Sequence, residues 1–167
     1  MEEARVQVER VFGVSATLAR RAERPSGTLD PRRGQHLSAG ILRWLVAMRP
    51  PGATKLLGVT DVDLFIPILT FVFGEAKLDG VVAVVSTARL SGDAGGGSPR
   101  VSQARLVKEC IHELGHTFGL IHCADPRCAM ARSVNLAHVD AKRATLCADC
   151  RIRLSELRHG GGDAYGR

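Results

Sequence analysis

The chain has 167 residues, of which 45% are hydrophobic and 24% are charged, and its mean hydropathy is close to zero. These values exclude a disordered polymer and a collagen-like or coiled-coil rod, and they suit one globular domain of ordinary size. No apolar run of about 18 residues is present, which excludes a transmembrane helix. The first residues, MEEARVQVERV, contain no apolar core of the kind that a secretory signal has, so we expect a cytoplasmic protein.

The formal net charge is +6, and 19 of the 23 cationic residues are arginines. Clusters occur at Arg20-Arg21, Arg24 and Arg32-Arg33, and a nucleic-acid-binding protein could use such clusters. The seven aromatic residues do not lie between them, where base stacking would require them. The composition therefore favours a solvated basic surface, and nucleic acid is not the expected partner.

Hydrophobic periodicity predicts the elements of the N-terminal half. Alternating apolar residues predict a strand over 5–12, and the stretch 25–34, which contains Gly, Asp and two Pro, predicts a loop. A helix is expected over 37–48 and is ended by Pro50 and Pro51. Further strands are expected over 55–62, 68–73 and 81–86.

A long amphipathic helix is expected over 99–119. Ser98 followed by Pro99 is typical of a helix start, and Gly119 is typical of a helix end. Apolar residues recur between them at helical spacing, which predicts one face directed to the core. These residues are Val107, Ile111, Leu114 and Phe118.

The remaining C-terminal segments are less regular. The Gly-rich segment 91–99 is expected to be a loop, 141–157 a last helix that carries a cysteine pair near its middle, and 158–167 a flexible tail. Strand and helix signals alternate before a helix-rich end, which predicts an α+β fold. We expect a mixed twisted sheet backed by the helices at 37–48 and 99–119.

The 99–119 helix carries the sequence His112-Glu113-Leu114-Gly115-His116. Residues four apart lie about 40° apart around a helix, so both imidazoles point to one position. Two neutral imidazole nitrogens aimed at one position are two ligands of a tetrahedral zinc ion. Glu113 lies beside that position, where its carboxylate can take a proton from a zinc-bound water as the water attacks a carbonyl.

His122, six residues after His116, is the expected third ligand. A continued helix would turn His122 about 240° away from the other two, so the chain must leave the helix between them. Gly119 is placed to take the positive φ that this break needs. The string HELGHTFGLIH therefore predicts a metal site of three histidines.

Four of the five cysteines form two close pairs, Cys123 with Cys128 and Cys147 with Cys150, and 18 residues separate the pairs. In a reducing compartment this pattern is typical of a zinc site rather than of disulfides. The fifth, Cys110, falls within the expected helix and is interpreted as a small buried apolar residue.

The string HELGHTFGLIH is the metzincin metalloprotease signature. Together with the cysteine pairs, the sequence CAM at 128–130 and the stretches LGVTDVDLFIP…FVFGEA and VVAVVSTARL, it closely resembles the archaemetzincin (archaelysin) family of zinc peptidases. The resemblance covers most of the chain. It implies a single zincin-like domain in which 1–119 supplies the sheet and the active-site helix, while 120–157 forms a small lobe stabilised by zinc.

The resemblance also implies two zinc ions per chain, one catalytic and one structural. Glu113 would be the general base, and Met130 would be the methionine of the Met-turn, an apolar floor under the histidines. The implied ligands are His112, His116 and His122 for the catalytic ion and Cys123, Cys128, Cys147 and Cys150 for the structural ion. His138 lies outside the motif and is expected at the surface.

A peptide or protein substrate follows from the same resemblance. We expect the strand at 81–86 to be the sheet edge along which an extended peptide binds. Asp61 and Asp63 could bind Mg²⁺ or Ca²⁺, but turn or arginine contacts are the favoured interpretation. We expect a monomer without membrane contacts, and we expect the structural zinc to hold His122 in place through its neighbour Cys123.

The favoured function is hydrolysis of peptide bonds by a zinc-bound water that Glu113 activates. One alternative is a non-catalytic zinc-binding module of a basic domain that contacts nucleic acid or a protein partner, and another is a folded pseudo-peptidase. The binding module explains the charge but gives no use for Glu113 or the third histidine. The natural substrate and the preference for free N-termini or internal bonds stay open.

Overall fold

The computed structural model describes residues 1–19, 23, 25–92 and 98–159. The fold is α+β, as the sequence predicts, and among these residues no helix is long and apolar enough to cross a membrane. The helices are α1 (Glu2–Phe12), α2 (Ser38–Met48), α3 (Pro99–Thr117), α4 (Leu136–Ala141) and α5 (Ala148–His159). The strands are β1 (Leu29–Asp30), β2 (Gln35–Leu37), β3 (Leu56–Thr60), β4 (Leu64–Phe65), β5 (Gly74–Ala76) and β6 (Val82–Ser86).

Two three-stranded sheets are formed, in the orders β1-β2-β4 and β3-β6-β5. In the second sheet β6 runs parallel to β3 and antiparallel to β5, and all five of its residues are buried. The prediction that this strand lies at a sheet edge is therefore wrong, because β6 pairs on both sides. A run of residues buried on both faces is typical of such a central strand.

The central strand lies between two helices. Val84 packs in one apolar cluster with Ile41 and Leu45 of α2, whereas Val85 packs in the other cluster with Ile111 of α3. Successive side chains of a strand point to opposite faces, so α2 and α3 cover opposite faces of the sheet. The predicted helix at 37–48 and the strands at 55–62 and 81–86 are confirmed as α2, β3 and β6.

The predicted strand over 5–12 is wrong, because these residues belong to α1. Its buried residues are Ala4, Val8 and Phe12, which recur every four positions, whereas Val6 is exposed. Acidic residues begin the helix, and Arg5 pairs with Glu9 at 2.7 Å, four residues on. The buried residues at helical spacing and the ion pair stabilise a helix here, although apolar residues alternate over a short stretch.

The predicted strand over 68–73 is also wrong. Ile68 is 86% exposed, and Val72 makes only an isolated bridge with Leu64. Side chains replace the strand ladder, since Arg33 and Gln35 both donate to the carbonyl of Thr70. These residues form a loop that leads into β5. The loop predicted at 25–34 contains the two-residue strand β1.

The last predicted helix begins later than expected. α4 ends at Ala141, and an irregular segment follows before α5 begins at Ala148, so Cys147 precedes the helix and Cys150 lies in its first turn. The intervening backbone pairs with the first cysteine loop instead, through Arg143 N–H to Arg127 O and Ala129 N–H to Thr145 O. The predictions for Arg20, Arg21 and Arg24, for 93–97 and for 160–167 lie outside the described residues.

Candidate active site

Helix α3, which carries the sequence HELGH, begins and ends as the sequence predicts. The Ser98 side chain accepts from Val101 N–H, and Pro99 is the first helical residue. The helix ends at Thr117, and Gly119 takes a φ of 87°, a left-handed conformation that glycine adopts without strain. The chain then folds back, and Leu120 N–H donates to the carbonyl of Gly115.

This turn brings the three predicted histidines together. Nε2 of His112 lies 3.2 Å from Nε2 of His116, and one ring nitrogen from each of the three lies within 4.8 Å of the others. Zn–N bonds of about 2.0–2.1 Å in a tetrahedron separate two nitrogens by about 3.3–3.4 Å. His112 is buried and His122 is exposed. The spacing of the three ring nitrogens therefore fits a tetrahedral zinc ion.

Backbone carbonyls orient two of the imidazoles. Nδ1 of His112 donates to Ala129 O at 2.8 Å, and Nδ1 of His116 donates to Leu120 O at 2.7 Å. Because a carbonyl only accepts, each Nδ1 carries the proton and each Nε2 keeps its lone pair for a metal. Burial lowers the pKa of both histidines, so both are neutral at neutral pH, as metal binding requires.

Glu113 lies beside the histidines and against β5. A methyl group at Gly74 would come within 2.6 Å of Glu113 Cγ and 2.8 Å of its Oε1, so the carboxylate packs directly on the strand backbone. Burial, followed by the nearby charge of Glu109, raises the pKa of Glu113 well above its usual range. A carboxyl group in this environment can accept and return a proton near neutral pH.

A cleft of about 300 Å³ opens over these residues. Its lining includes Leu69 and Phe71 of the loop before β5, as well as Arg132 and Val134. The residues of β5 line the cleft as well. Its Glu75 has a buried Oε2 without a hydrogen-bond partner among the described residues. The cleft thus offers apolar surface with carboxylates at its base.

Met130 lies under the histidine helix. It is fully buried, and a methyl group at Gly115 would overlap its Sδ atom and come within 3.0 Å of its Cε atom. The glycine between the two helical histidines is therefore where α3 makes room for Met130. Cys123 N–H donates to Met130 O, which ties this floor to the segment that carries His122.

Replacement of Gly115 by Ala should destabilise the fold by about 1–3 kcal/mol, because it overpacks the contact with Met130. Helix propensity alone would give the opposite sign, a stabilisation of about 1 kcal/mol. Denaturant unfolding of Gly115→Ala, Met130→Ala and the double variant measures the coupling between the two positions. We expect the double variant to be more stable than the two separate effects predict, and simple additivity would contradict the packing.

The four predicted metal-site cysteines also converge. Their Sγ atoms all lie within 4.8 Å of one another, and those of Cys123 and Cys147 are 3.7 Å apart. A disulfide would need about 2.05 Å, whereas tetrahedral Zn–S bonds of about 2.3 Å separate two sulfurs by about 3.8 Å. Backbone N–H groups point to two of these sulfurs, from Cys147 to Cys128 Sγ and from Cys150 to Cys147 Sγ. The donor set therefore fits a closed zinc site.

Three other interpretations of the sequence are confirmed. Cys110 is buried in the core, and burial raises the pKa of its thiol to about 12, so it is an inert apolar residue. His138 is exposed. Asp63 accepts two hydrogen bonds from Arg89 and one from Gln35, which is the arginine contact favoured above over a metal site.

Sequence reasoning does not identify two charged residues behind His112. Glu109 of α3 and Lys142, which follows α4, form an ion pair at 2.9 Å, and Lys142 also contacts the imidazole. The spacing of Glu109, His112 and His116 as i, i+3 and i+7 is the signal that places the carboxylate on the same helix face. No local pattern indicates Lys142, because it reaches this face from a distant element.

Comparison with known families decides the classification. The model of peptidase family M54 matches residues 2–156. The chain belongs to this family. Archaemetzincin from Methanopyrus kandleri is 40% identical over 155 residues, covering 92% of this chain and 86% of that protein. Archaemetzincin from Methanocaldococcus jannaschii is 40% identical over 148 residues, covering 87% and 80%, and the resemblance drawn from the sequence is confirmed.

Two solved structures have a fold similar to that of this chain. The crystal structure of archaemetzincin from Methanopyrus kandleri has a TM-score of 0.86 at 38% identity, covering 95% of this chain and 85% of that one. The crystal structure of a zinc-dependent peptidase from Methanocorpusculum labreanum has a TM-score of 0.82 at 30% identity and covers 91% of each chain. The α+β metallopeptidase fold is thus shared by the family and this chain.

Proposed function

We propose that this chain is a zinc metallopeptidase that hydrolyses peptide bonds. The observation that carries the proposal is the convergence of three histidine ring nitrogens beside the buried carboxylate of Glu113, at the base of a cleft. A non-catalytic binding module would need neither Glu113 nor an open metal site. Membership of a peptidase family favours catalysis over that alternative.

Each residue has a definite task in this reaction. His112, His116 and His122 would hold the catalytic zinc, which, when bound, polarises the scissile carbonyl and makes a water molecule acidic. The Glu113 carboxylate accepts the proton of the attacking water and later returns it to the nitrogen of the leaving amine. Its raised pKa suits this exchange, because the carboxyl group must hold the proton between the two steps.

We propose that the substrate binds as an extended strand along β5. Within the described part of the chain β5 pairs with β6 alone, so its other edge carries unpaired backbone groups. Gly74, Glu75 and Ala76 line the cleft beside Glu113. A peptide paired there would place its backbone next to the general base. This assignment replaces the strand predicted at 81–86 as the substrate edge.

A second zinc at the four cysteines completes the proposed cofactor content of two ions per chain. Four anionic thiolates in a closed arrangement suit a structural role. Thiolates stay available for a metal in a reducing compartment, which favours the cytoplasm as the location. We propose Met130 as the Met-turn residue, which its packing against Gly115 of α3 supports. We also propose a monomer as the working form.

Incubation of the zinc-loaded protein with a peptide library, followed by mass spectrometry, tests this function. We expect new peptide termini that disappear after chelation and return when zinc is added. His116→Ala should abolish cleavage, whereas His159→Ala, which changes an exposed histidine at the end of α5, should not. Salt-dependent binding to nucleic acid without any cleavage would instead support the binding module.

A further inference from the structure

The proposed reaction leaves one buried ion pair unused. Lys142 Nζ donates to Glu109 Oε1 at 2.9 Å, and the two side chains are only 0% and 3% exposed. Burial of two charges is costly, and packed apolar residues often stabilise a fold as well as a buried ion pair does. Stability alone therefore does not explain why charged groups occupy this place.

The ion pair adjoins a proposed metal ligand. Lys142 Nζ lies 3.4 Å from Nδ1 of His112, and Glu109 precedes His112 by one turn of α3. The ammonium group thus contacts both the carboxylate and the imidazole. In many metal sites a carboxylate accepts the proton of the ligand's second nitrogen. Here Lys142 binds the carboxylate, and the Nδ1–H of His112 donates to Ala129 O at 2.8 Å.

The two groups that contact His112, Lys142 and the Ala129 carbonyl, lie on backbone segments that are hydrogen-bonded to each other. Arg143 N–H donates to Arg127 O at 2.8 Å, and Ala129 N–H donates to Thr145 O at 3.0 Å. The segment that begins at Lys142 is therefore paired with the cysteine loop that supplies the carbonyl. The same pair of backbone segments therefore carries the Ala129 carbonyl, which orients the imidazole, and Lys142, which binds Glu109.

We propose that Lys142 is a positioning residue of the active site: by binding Glu109, it reserves the Nδ1–H of His112 for the Ala129 carbonyl and so fixes Nε2 towards the metal. Without the ammonium, we expect a Glu109 carboxyl oxygen to accept this Nδ1–H and to turn the imidazole away from its place. The proposal rests on the proposed function only in that Nε2 of His112 is a metal ligand.

A second ion pair provides a matched control. Arg105 of α3 donates through two nitrogens to the carboxylate of Asp140 in α4, each at 2.8 Å. It links the active-site helix to the same lobe, and among the described residues no hydrogen bond or ion pair joins either side chain to His112. Asp140→Asn should therefore weaken the docking of the lobe without affecting the orientation of the imidazole.

Zinc affinity of the three-histidine site, measured by competition with a chromophoric chelator, tests the proposal. Lys142→Met should bind zinc there about 10- to 100-fold more weakly, the loss typical when a group that orients a ligand is removed. Lys142→Met combined with Glu109→Leu should regain most of this loss, because no carboxylate competes for Nδ1–H. Asp140→Asn should keep the wild-type affinity. Equal losses in Lys142→Met and Asp140→Asn, or no recovery in the double variant, would overturn the proposal.

The His112 Nδ1–H proton gives a second readout that needs neither peptidase activity nor bound metal. In metal-free wild-type protein, nitrogen-edited NMR should show the Nδ1–H of His112 hydrogen-bonded to a carbonyl. In Lys142→Met the signal should move downfield, because Glu109 replaces the Ala129 carbonyl as the acceptor. An Nε2–H tautomer in the wild type would overturn the proposal even if Lys142→Met does not fold. An inactive protein that shows the expected shifts would refute the proposed function alone.

Discussion

Glu113→Gln should lower the rate of peptide hydrolysis by a factor of about 10²–10⁴, the contribution typical of a general base, while zinc at the three-histidine site is retained. Glutamine keeps the shape of the side chain but cannot accept the proton of the attacking water. Glu113 is not one of the three converging histidine ligands, so the change removes the base and no metal ligand. Turnover of a peptide found in the library, together with metal analysis of the same sample, measures both effects.

Glu156→Gln is the matched control, since Glu156 is an exposed residue of α5 whose ion-pair partner among the described residues is Arg153. It removes the same charge at a distance from the cleft and should leave turnover unchanged. Full activity of Glu113→Gln would exclude Glu113 as the base. Loss of zinc together with activity would assign Glu113 to the stability of the site rather than to proton transfer.

The chemistry of the site could be predicted because short spacings carry it. His112 and His116 are four residues apart, so a helix suffices to bring them together, and Gly119 gives the turn that returns His122. Within each cysteine pair the spacing is equally short, and the sequence expresses this local geometry directly. The convergence of the two pairs depends in addition on backbone pairing between 127–129 and 143–145.

Errors arose where distant partners decide the structure. The apolar residues near the N-terminus fit both a strand and a helix, and the contacts of Ala4, Val8 and Phe12 with the core select the helix. The run at 81–86 indicates a strand, but its place at the centre of the sheet depends on pairing with β3 and β5. No local pattern expresses these contacts, and the same is true of Lys142.

The cysteine lobe and the three-histidine site share one backbone framework. His122 precedes Cys123, whose N–H donates to the carbonyl of Met130. His112 donates to Ala129 O, and Ala129 follows Cys128 directly. Two of the three proposed catalytic ligands therefore depend on residues adjacent to proposed structural ligands. We therefore expect the structural zinc to hold His112 in place as well as His122, through the Ala129 carbonyl that follows Cys128.

If both proposed sites hold zinc, chelator titration at neutral pH should therefore remove the two ions in a fixed order, with the three-histidine site emptied first. Three neutral imidazoles bind zinc less firmly than four thiolates, and their site stays open to water and chelator. With zinc, the four-thiolate site carries a formal charge of −2 and the histidine site +2, so the basic protein around them favours the former. Loss of the thiolate-bound ion also costs folding of the lobe.

Two steps should appear when zinc content, activity and circular dichroism are followed together. Activity should vanish in the first step with helical signal intact, and the signal should fall in the second, because α5 begins directly after Cys147. If the thiolate-bound ion left first, two steps could not appear. Release of the cysteine loop would free Ala129 and His122 together, so the histidine-bound ion would leave at the same time. Simultaneous loss of both ions, or loss of fold before activity, would therefore show that the four-thiolate site is the weaker one.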